Sequence, residues 1–308
     1  MTQARHFLGL DEFEPAYLRR LLEAGWVLKR AGRPARPAEG PLAGRTLMLL
    51  FEKPSTRTRV SFEVAMRQLG GDVIVLNASD SQLGRGETPA DTARVLSRYV
   101  DAIMLRATRH ASLEALAQHA TVPVINGLTD ETHPCQLMAD IMTFEEHRGP
   151  ISGKTVAWLG DGNNVAASWV QAAAQLGFRL RLGMPEGVTI SERALGFARR
   201  KGAAVELCHT AEKAVAGADC LVTDTWVSMG DEPGKNLACF EPFRVTAGLM
   251  AQAAPGAIFM HCLPAKRGQE VTDEVIDSPA SVVWDEAENR VHAQKAVLLH
   301  CLAPAALP

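Results

Sequence analysis

The stretch LLFEKPSTRTRVSFE, residues 49 to 63, changes character twice and sets the fold. The run TLMLLF, residues 46 to 51, is short and continuously apolar, the signature of a strand buried on both faces. After it, Phe62, Ala65, Met66 and Leu69 recur at i, i+3, i+4 and i+7, one face of a helix. Pro54 and Ser55 stand at the junction, where a helix N-cap belongs. The segment therefore reads as strand, turn and helix N-terminus. Backbone N–H groups and the helix dipole at such an end attract anions. Ser55, Thr56 and Thr58 add hydroxyls, and Arg57 adds a planar fork that matches a phosphate. A capped helix with solvated arginines is the plain alternative. Ser-Thr-Arg-Thr-Arg directly after a buried strand favours a phosphate or carboxylate site.

The same alternation extends in both directions. DVIVLN, DAIMLR and VPVING follow in the first half; TVAWLG, FRLRLG, AAVELC, DCLVTD, AIFMHC and SVVWDE fill the second. Buried strands alternating with amphipathic segments predict an α/β protein with parallel sheets. At 308 residues the chain has room for two domains. The Gly/Pro-rich HRGPISGKT, residues 147 to 155, marks the expected boundary between domains at 1–146 and 151–286. Residues 287–308 follow the last strand as a C-terminal helix. The fold expected is two doubly wound parallel-sheet domains with the site in the cleft between them.

A net charge of −3 gives no overall attraction to nucleic acid or anionic membrane, so any anion site is local. No apolar segment is long enough to span a bilayer. The start, MTQARHFLGLDEF, lacks a secretory core. Cys135, Cys208, Cys220, Cys239, Cys262 and Cys301 show no CxxC and no zinc spacing. They read as reduced thiols, and the chain as cytoplasmic.

Ligands of open α/β sheets sit at the carboxyl ends of strands, and polar residues recur there. Arg106 ends the third strand, and His133 and Gln136 follow the fourth. Asn163 and Asn164 follow TVAWLG, Asp224 follows DCLVT, and His261 and Cys262 follow AIFM. LGDGNNVAASW, residues 159 to 169, resembles a dinucleotide loop, but Val165 stands where a small residue is needed. The next strand also ends without an acid. Asn163 and Asn164 are turn formers, or one of them binds a ligand carboxylate. His133 and Gln136 offer two donors to a carbonyl, Asp224 and Ser228 an acid and a hydroxyl in one loop, and Cys262 a thiol at the ligand edge. The sum describes an amino acid attacking an acyl phosphate.

FEKPSTRTR, HPCQ and HCLP together resemble the aspartate/ornithine carbamoyltransferase family. SQLGRGETPADTARVLSR, GDGNNVA, DTWVSMG and HCLPA are similar to its ornithine branch, and the match runs through nearly the whole chain. Cys262 stands where aspartate enzymes usually carry a proline. The resemblance implies carbamoyl transfer from carbamoyl phosphate to the δ-amine of L-ornithine, giving L-citrulline and phosphate, a step of arginine biosynthesis. It assigns Ser55, Thr56, Arg57, Thr58, Arg106, His133, Gln136 and Arg290 to carbamoyl phosphate, with Gln82 from a neighbouring subunit. It assigns Asn164, Asp224, Ser228, Met229, Cys262 and Leu263 to ornithine, with Arg106, His133 and Cys262 at the chemistry. It further implies a homotrimer or a multiple of trimers, and neither metal nor cofactor. A carbamoyltransferase for putrescine, N-acetylornithine or aspartate, and a non-catalytic amino-acid-binding protein, are the competing readings.

Overall fold

The computed structural model describes residues 4–32, 39–77, 79, 86–227 and 236–308. Two compact units divide the chain: Met1–Met138 with Asn289–Pro308, and Ala139–Glu288. The first contains α1 (Pro15–Arg30), β1 (Thr46–Phe51), α2 (Thr56–Gln68), β2 (Asp72–Asn77), α3 (Pro89–Leu96), β3 (Ala102–Arg106), α4 (His110–His119) and β4 (Val124–Leu128). α5 (Pro134–Arg148) follows. The second contains β5 (Thr155–Leu159), α6 (Asn164–Leu176), β6 (Arg179–Gly183), α7 (Glu192–Lys201), β7 (Val205–Cys208) and α8 (Ala211–Val215). It continues with β8 (Cys220–Thr223), α9 (Ala247–Met250), β9 (Ile258–His261) and α10 (Asp273–Ile276); α11 (Val283–Leu302) ends the chain's regular structure.

In the first unit the sheet order is β2-β1-β3-β4, parallel throughout. Successive side chains alternate faces. Met48, Leu50, Ile103 and Leu105 pack on Ala93 and Leu96 of α3 and Leu113 and Leu116 of α4. Leu47, Leu49 and Met104 point the other way and are equally buried, which is why β1 reads as an unbroken apolar run. The residues placed on one face of α2, Phe62, Ala65, Met66 and Leu69, are all buried.

In the second unit the order is β7-β6-β5-β8-β9, again parallel. Ala157, Leu159, Leu221 and Phe259 share one core with α8 and Val271, Val275 and Ile276. In both sheets the order reverses beside the first strand of the unit, between β1 and β3 and between β5 and β8. A topological switch point forms there, the place where ligands enter open α/β sheets.

Two expectations need correcting or refining. SVVWDE is not a strand. Ser281 makes a single parallel bridge to Phe259, and the chain then enters α11. Asp285 and Glu286 fall in the first turn of that helix, where acidic side chains favour the dipole. Packing divides the two compact units inside α5 and α11, close to the expected bounds. Gly and Pro mark where a helix ends; a continuous helix shows no composition break where its packing partners change.

Candidate active site

At the first switch point, Phe51 at the end of β1 lies in register with Arg106 at the end of β3. The chain leaving β1 thus turns beside Arg106, and Glu52 N–H donates to the Arg106 carbonyl at 2.9 Å. Ser55 is the N-cap of α2, accepting from Thr58 N–H at 3.4 Å. Thr58 is buried, Ser55 and Arg57 are half-buried, and Thr56 is exposed. Among the described residues the Arg57 guanidinium makes no hydrogen bond or ion pair, so its fork is available at the helix end.

Arg290 of α11 joins this end of the sheet. It is buried, and its guanidinium donates to Gln136 Oε1 and, at 2.9 Å, to Thr58 Oγ1. The consequence is polarity. Each oxygen accepts from Arg290, which orients the Gln136 amide with Oε1 toward the guanidinium and leaves its NH2 and the Thr58 O–H as the donor groups of the two side chains. His133, Gln136 and Arg106 are all at most 9% exposed. Pro134 opens α5 at its first position, so His133 directly precedes the helix.

Burial holds the His133 pKa well below 6.5, and the positive charges of Arg290 and Arg106 lower it further. His133 is therefore a neutral donor at working pH. Two more histidines of this unit share the trend. Burial lowers His6, whose Nδ1 accepts from Val124 N–H at 3.0 Å, and His300, whose Nδ1 lies 2.8 Å from the Tyr17 hydroxyl. Groups with depressed folded pKa values contribute stability that is complete above the unfolded value of about 6.5 and is lost as pH falls through the folded values. Urea midpoints should thus hold from pH 8 to 7 and fall toward pH 5. His6→Gln should flatten that acid limb by up to about one proton. An unchanged slope would mean that His6 is not held neutral.

At the second switch point, Leu159 is in register with Thr223, and Thr223 with His261. The chain ends following β5, β8 and β9 therefore bring Asn163, Asp224 and Cys262 together. Asp224 is 8% exposed. Its Oδ2 accepts from Asn163 Nδ2 at 2.9 Å, and its Oδ1 from Thr225 N–H at 2.8 Å and the Cys262 thiol at 3.2 Å. Burial raises the Cys262 pKa well above 9, and the Asp224 charge raises it further. The sulfur is a thiol donor and not a thiolate.

Asn163 is the residue whose side-chain amide reaches Asp224. Its Oδ1 also caps α6, accepting from Val165 and Ala166 N–H at 3.0 and 3.1 Å. Asn164 is the first residue of α6 and half-buried. Glycine in this loop answers to close packing: a Cβ on Gly162 would sit 2.0 Å from the Thr189 carbonyl oxygen. With Gly160 at φ 125°, a backbone conformation that favours glycine, that accounts for the Gly-x-Gly without a dinucleotide.

Leu263 follows Cys262 with φ 58°, a conformation that costs a non-glycine residue energy and persists only where its surroundings fix it. Here Leu263 N–H donates to His261 Nδ1 at 2.8 Å, and His261 Nε2 bonds Glu270 Oε1 at 3.2 Å. Glu286 Oε2 receives His261 N–H at 2.9 Å. Asp224, His261 and Cys262 offer ligand atoms within 4.8 Å of one another, a possible cation set among the described residues. Both His261 nitrogens already have partners, so a metal would displace one of these bonds. Sequence reading left Asn163 and Asn164 undivided and missed Glu270 and Glu286 as site-shaping residues. No local signal marks Glu270 or Glu286, which reach His261 from elsewhere in the chain. Gln82, Ser228 and Met229 lie outside the described residues.

Two family models cover most of the chain. The aspartate/ornithine carbamoyltransferase carbamoyl-P binding domain matches residues 5–146, and the Asp/Orn binding domain matches residues 152–301. The ornithine carbamoyltransferase of Rhizobium johnstonii is 59% identical over 301 residues, 97% of this chain and 98% of its own. That of Agrobacterium fabrum is 58% identical over 98% of this chain and 99% of its own. The solved structure of the Pyrococcus furiosus ornithine carbamoyltransferase superposes with a TM-score of 0.91 at 50% identity, covering 97% of each chain. Two switch-point sites on two parallel sheets, read together with these full-length likenesses, place the chain in the aspartate/ornithine carbamoyltransferase family.

Proposed function

We propose that the protein transfers the carbamoyl group of carbamoyl phosphate to the δ-amine of L-ornithine, releasing L-citrulline and phosphate, as in arginine biosynthesis. The observation that carries the reading is the donor polarity that Arg290 imposes on Thr58 and Gln136 beside a neutral His133 and the open end of α2. Such a site suits a carbonyl oxygen that gains negative charge and a phosphate that departs.

Carbamoyl phosphate belongs to the first unit. Ser55, Thr56 and Arg57 hold the phosphate at the helix N-terminus with Arg106. Thr58, His133, Gln136 and Arg290 face the carbonyl. Ornithine belongs to the second unit. Asp224 takes its α-ammonium, Asn164 its α-carboxylate, and Cys262 and Leu263 lie along its δ-amine. Ser228 and Met229 complete the acceptor set, and Gln82 of a neighbouring subunit completes the phosphate set.

The δ-amine titrates near 10.4 in water, so it reaches the site charged and must release one proton to solvent before it attacks. Its nitrogen lone pair then forms a bond to the carbamoyl carbon, giving a tetrahedral oxyanion. Thr58, Arg106 and His133 stabilise that oxyanion; one such donor typically contributes about 3–4 kcal/mol. The C–O bond to phosphate breaks, the leaving phosphate keeps the bonding pair, and it takes up the second amine proton. The sulfur of Cys262, held as a thiol, orients and does not form a covalent intermediate. Alignment of two reactants removes a further entropic barrier.

A trimer-based assembly in a reducing, cytoplasmic compartment is part of the same reading. Large apolar side chains left exposed on the first unit, Val60, Ile74 and Tyr99 among them, support an interface there, and the six free cysteines support the compartment. One experiment tests the whole. Steady-state turnover of carbamoyl phosphate with ornithine, putrescine, N-acetylornithine and aspartate should rank ornithine first. Light scattering on the same sample should give a multiple of three chains. Binding without turnover, or a preferred acceptor lacking the α-ammonium, would overturn the assignment.

A further inference from the structure

His133 and Gln136 act only if the turn entering α5 holds them at the sheet end, and one buried side chain ties that turn down. Asn126, on β4, is wholly buried. Its Nδ2 donates to Thr132 Oγ1 at 3.0 Å and to the Leu8 carbonyl at 2.8 Å. Its own carbonyl accepts from the Cys135 thiol at 3.4 Å. Thr132 and Cys135 flank the His133–Pro134 pair, so Asn126 grips the turn on both sides of the histidine.

The grip has a firm footing. Phe7 N–H donates to Val124 O at 2.9 Å and Asn126 N–H to Phe7 O at 2.8 Å, so the N-terminal segment runs along β4 as an added parallel edge. One residue further on, the pairing of β3 with β4 slips: Leu105 faces Asn126, whereas Arg106 faces Leu128. Gly127 occupies the slip, and a Cβ there would meet Met104 Sδ at 2.2 Å. Bulges of this kind re-aim side chains next to active sites. The bulge directs both Arg106 and the 129–133 turn, while Thr129 and Thr132 close that turn on each other through Thr129 N–H to Thr132 O at 3.0 Å and Thr132 N–H to Thr129 Oγ1 at 3.3 Å.

We infer that Asn126 is a positioning residue for carbamoyl transfer, setting His133 and Gln136 through Thr132 with the N-terminal segment as its anchor. The inference rests on the carbamoyltransferase reading of the site. A misplacement of about 1 Å can cost roughly a hundredfold in rate, so the effect is measurable.

Thr132 gives the mildest test, because Val keeps its shape and Ser keeps its oxygen. Thr132→Val should lower kcat/KM for carbamoyl phosphate by roughly ten- to a hundredfold, well below the unfolding temperature, with the ornithine KM at saturating carbamoyl phosphate unchanged. Thr132→Ser should restore kcat/KM to within about threefold of the parent, on the same scale. Adding Asn126→Ala to Thr132→Val should cost less than the sum of the two single losses, because both remove the shared Asn126–Thr132 hydrogen bond and only the contact to the Leu8 carbonyl is lost in addition. Full kcat/KM in Thr132→Val, equal losses in Val and Ser, or additive losses in the double variant would overturn the inference. If the unaltered protein fails to turn over carbamoyl phosphate and ornithine, the functional reading fails instead. Positioning is then read from amide hydrogen exchange of residues 129–137, which must quicken in Thr132→Val and stay slow in Thr132→Ser; no difference between them would overturn it.

Discussion

Arg57→Ala should lower kcat/KM for carbamoyl phosphate by roughly thirtyfold to several thousandfold, with the melting temperature almost unchanged. Truncating one member of a desolvated charge pair costs about 2–5 kcal/mol, and each 1.36 kcal/mol is tenfold. The stability half of the prediction follows from the guanidinium's surroundings. It is half-buried at the start of α2 and makes no hydrogen bond or ion pair among the described residues, so the folded protein alone loses little with it. Arg290→Met supplies the contrast. Arg290 bonds Thr58 and Gln136 in the resting fold, and its loss orphans buried groups at roughly 1–3 kcal/mol each. That variant should lose both stability and activity. Steady-state kinetics and thermal melts of the two proteins read the difference. An Arg57→Ala enzyme with normal kcat/KM at sub-saturating carbamoyl phosphate would place the anion elsewhere.

The contrast also shows what the sequence discloses. The role proposed for Arg57 is legible because everything that suggests it is local: a buried strand, a capping serine and a helix face within twenty residues. The pairing of strand ends into two switch points was legible as a rhythm, since polar residues follow apolar runs in phase. Arg290 could be assigned only by resemblance, because its partner Thr58 is 232 residues away and no local pattern encodes a contact of that span. Asn163 and Asn164 show the limit at short range. Both sit at a helix start, and only the geometry shows that Asn163 caps α6 and bonds Asp224 while Asn164 opens the helix. SVVWDE failed for a related reason. Two buried valines read as strand, yet the helix starts at the second of them with the acidic pair in its first turn, and short apolar runs fit either state.

Specificity for the acceptor should reside in Asp224, and its substitution tests the second unit as Arg57 tests the first. Asp224→Asn should reduce kcat/KM for ornithine by tens to thousands of fold, the scale of an uncompensated charge pair, while carbamoyl phosphate affinity shifts by less than about twofold. The structure also sets a cost unrelated to the charge. Asn163 Nδ2 donates to Oδ2, while Thr225 N–H and the Cys262 thiol donate to Oδ1. An amide at position 224 can keep its oxygen toward Thr225 and Cys262 only by turning its NH2 toward Asn163, donor against donor. Asn163 cannot flip to repair this, because its Oδ1 caps α6. Some loss of stability in Asp224→Asn is therefore built in and must be separated from the lost charge. Asn163→Ala makes the separation. It removes the same hydrogen bond, and the cap besides at about 1 kcal/mol, but leaves the carboxylate charged. If the carboxylate pairs with the ornithine α-ammonium, Asn163→Ala will melt earlier yet keep most of its kcat/KM for ornithine, and Asp224→Asn will not. Equal kinetic losses in the two variants would make Asp224 a scaffold for the loop, and the acceptor's α-ammonium would have to be sought at another group.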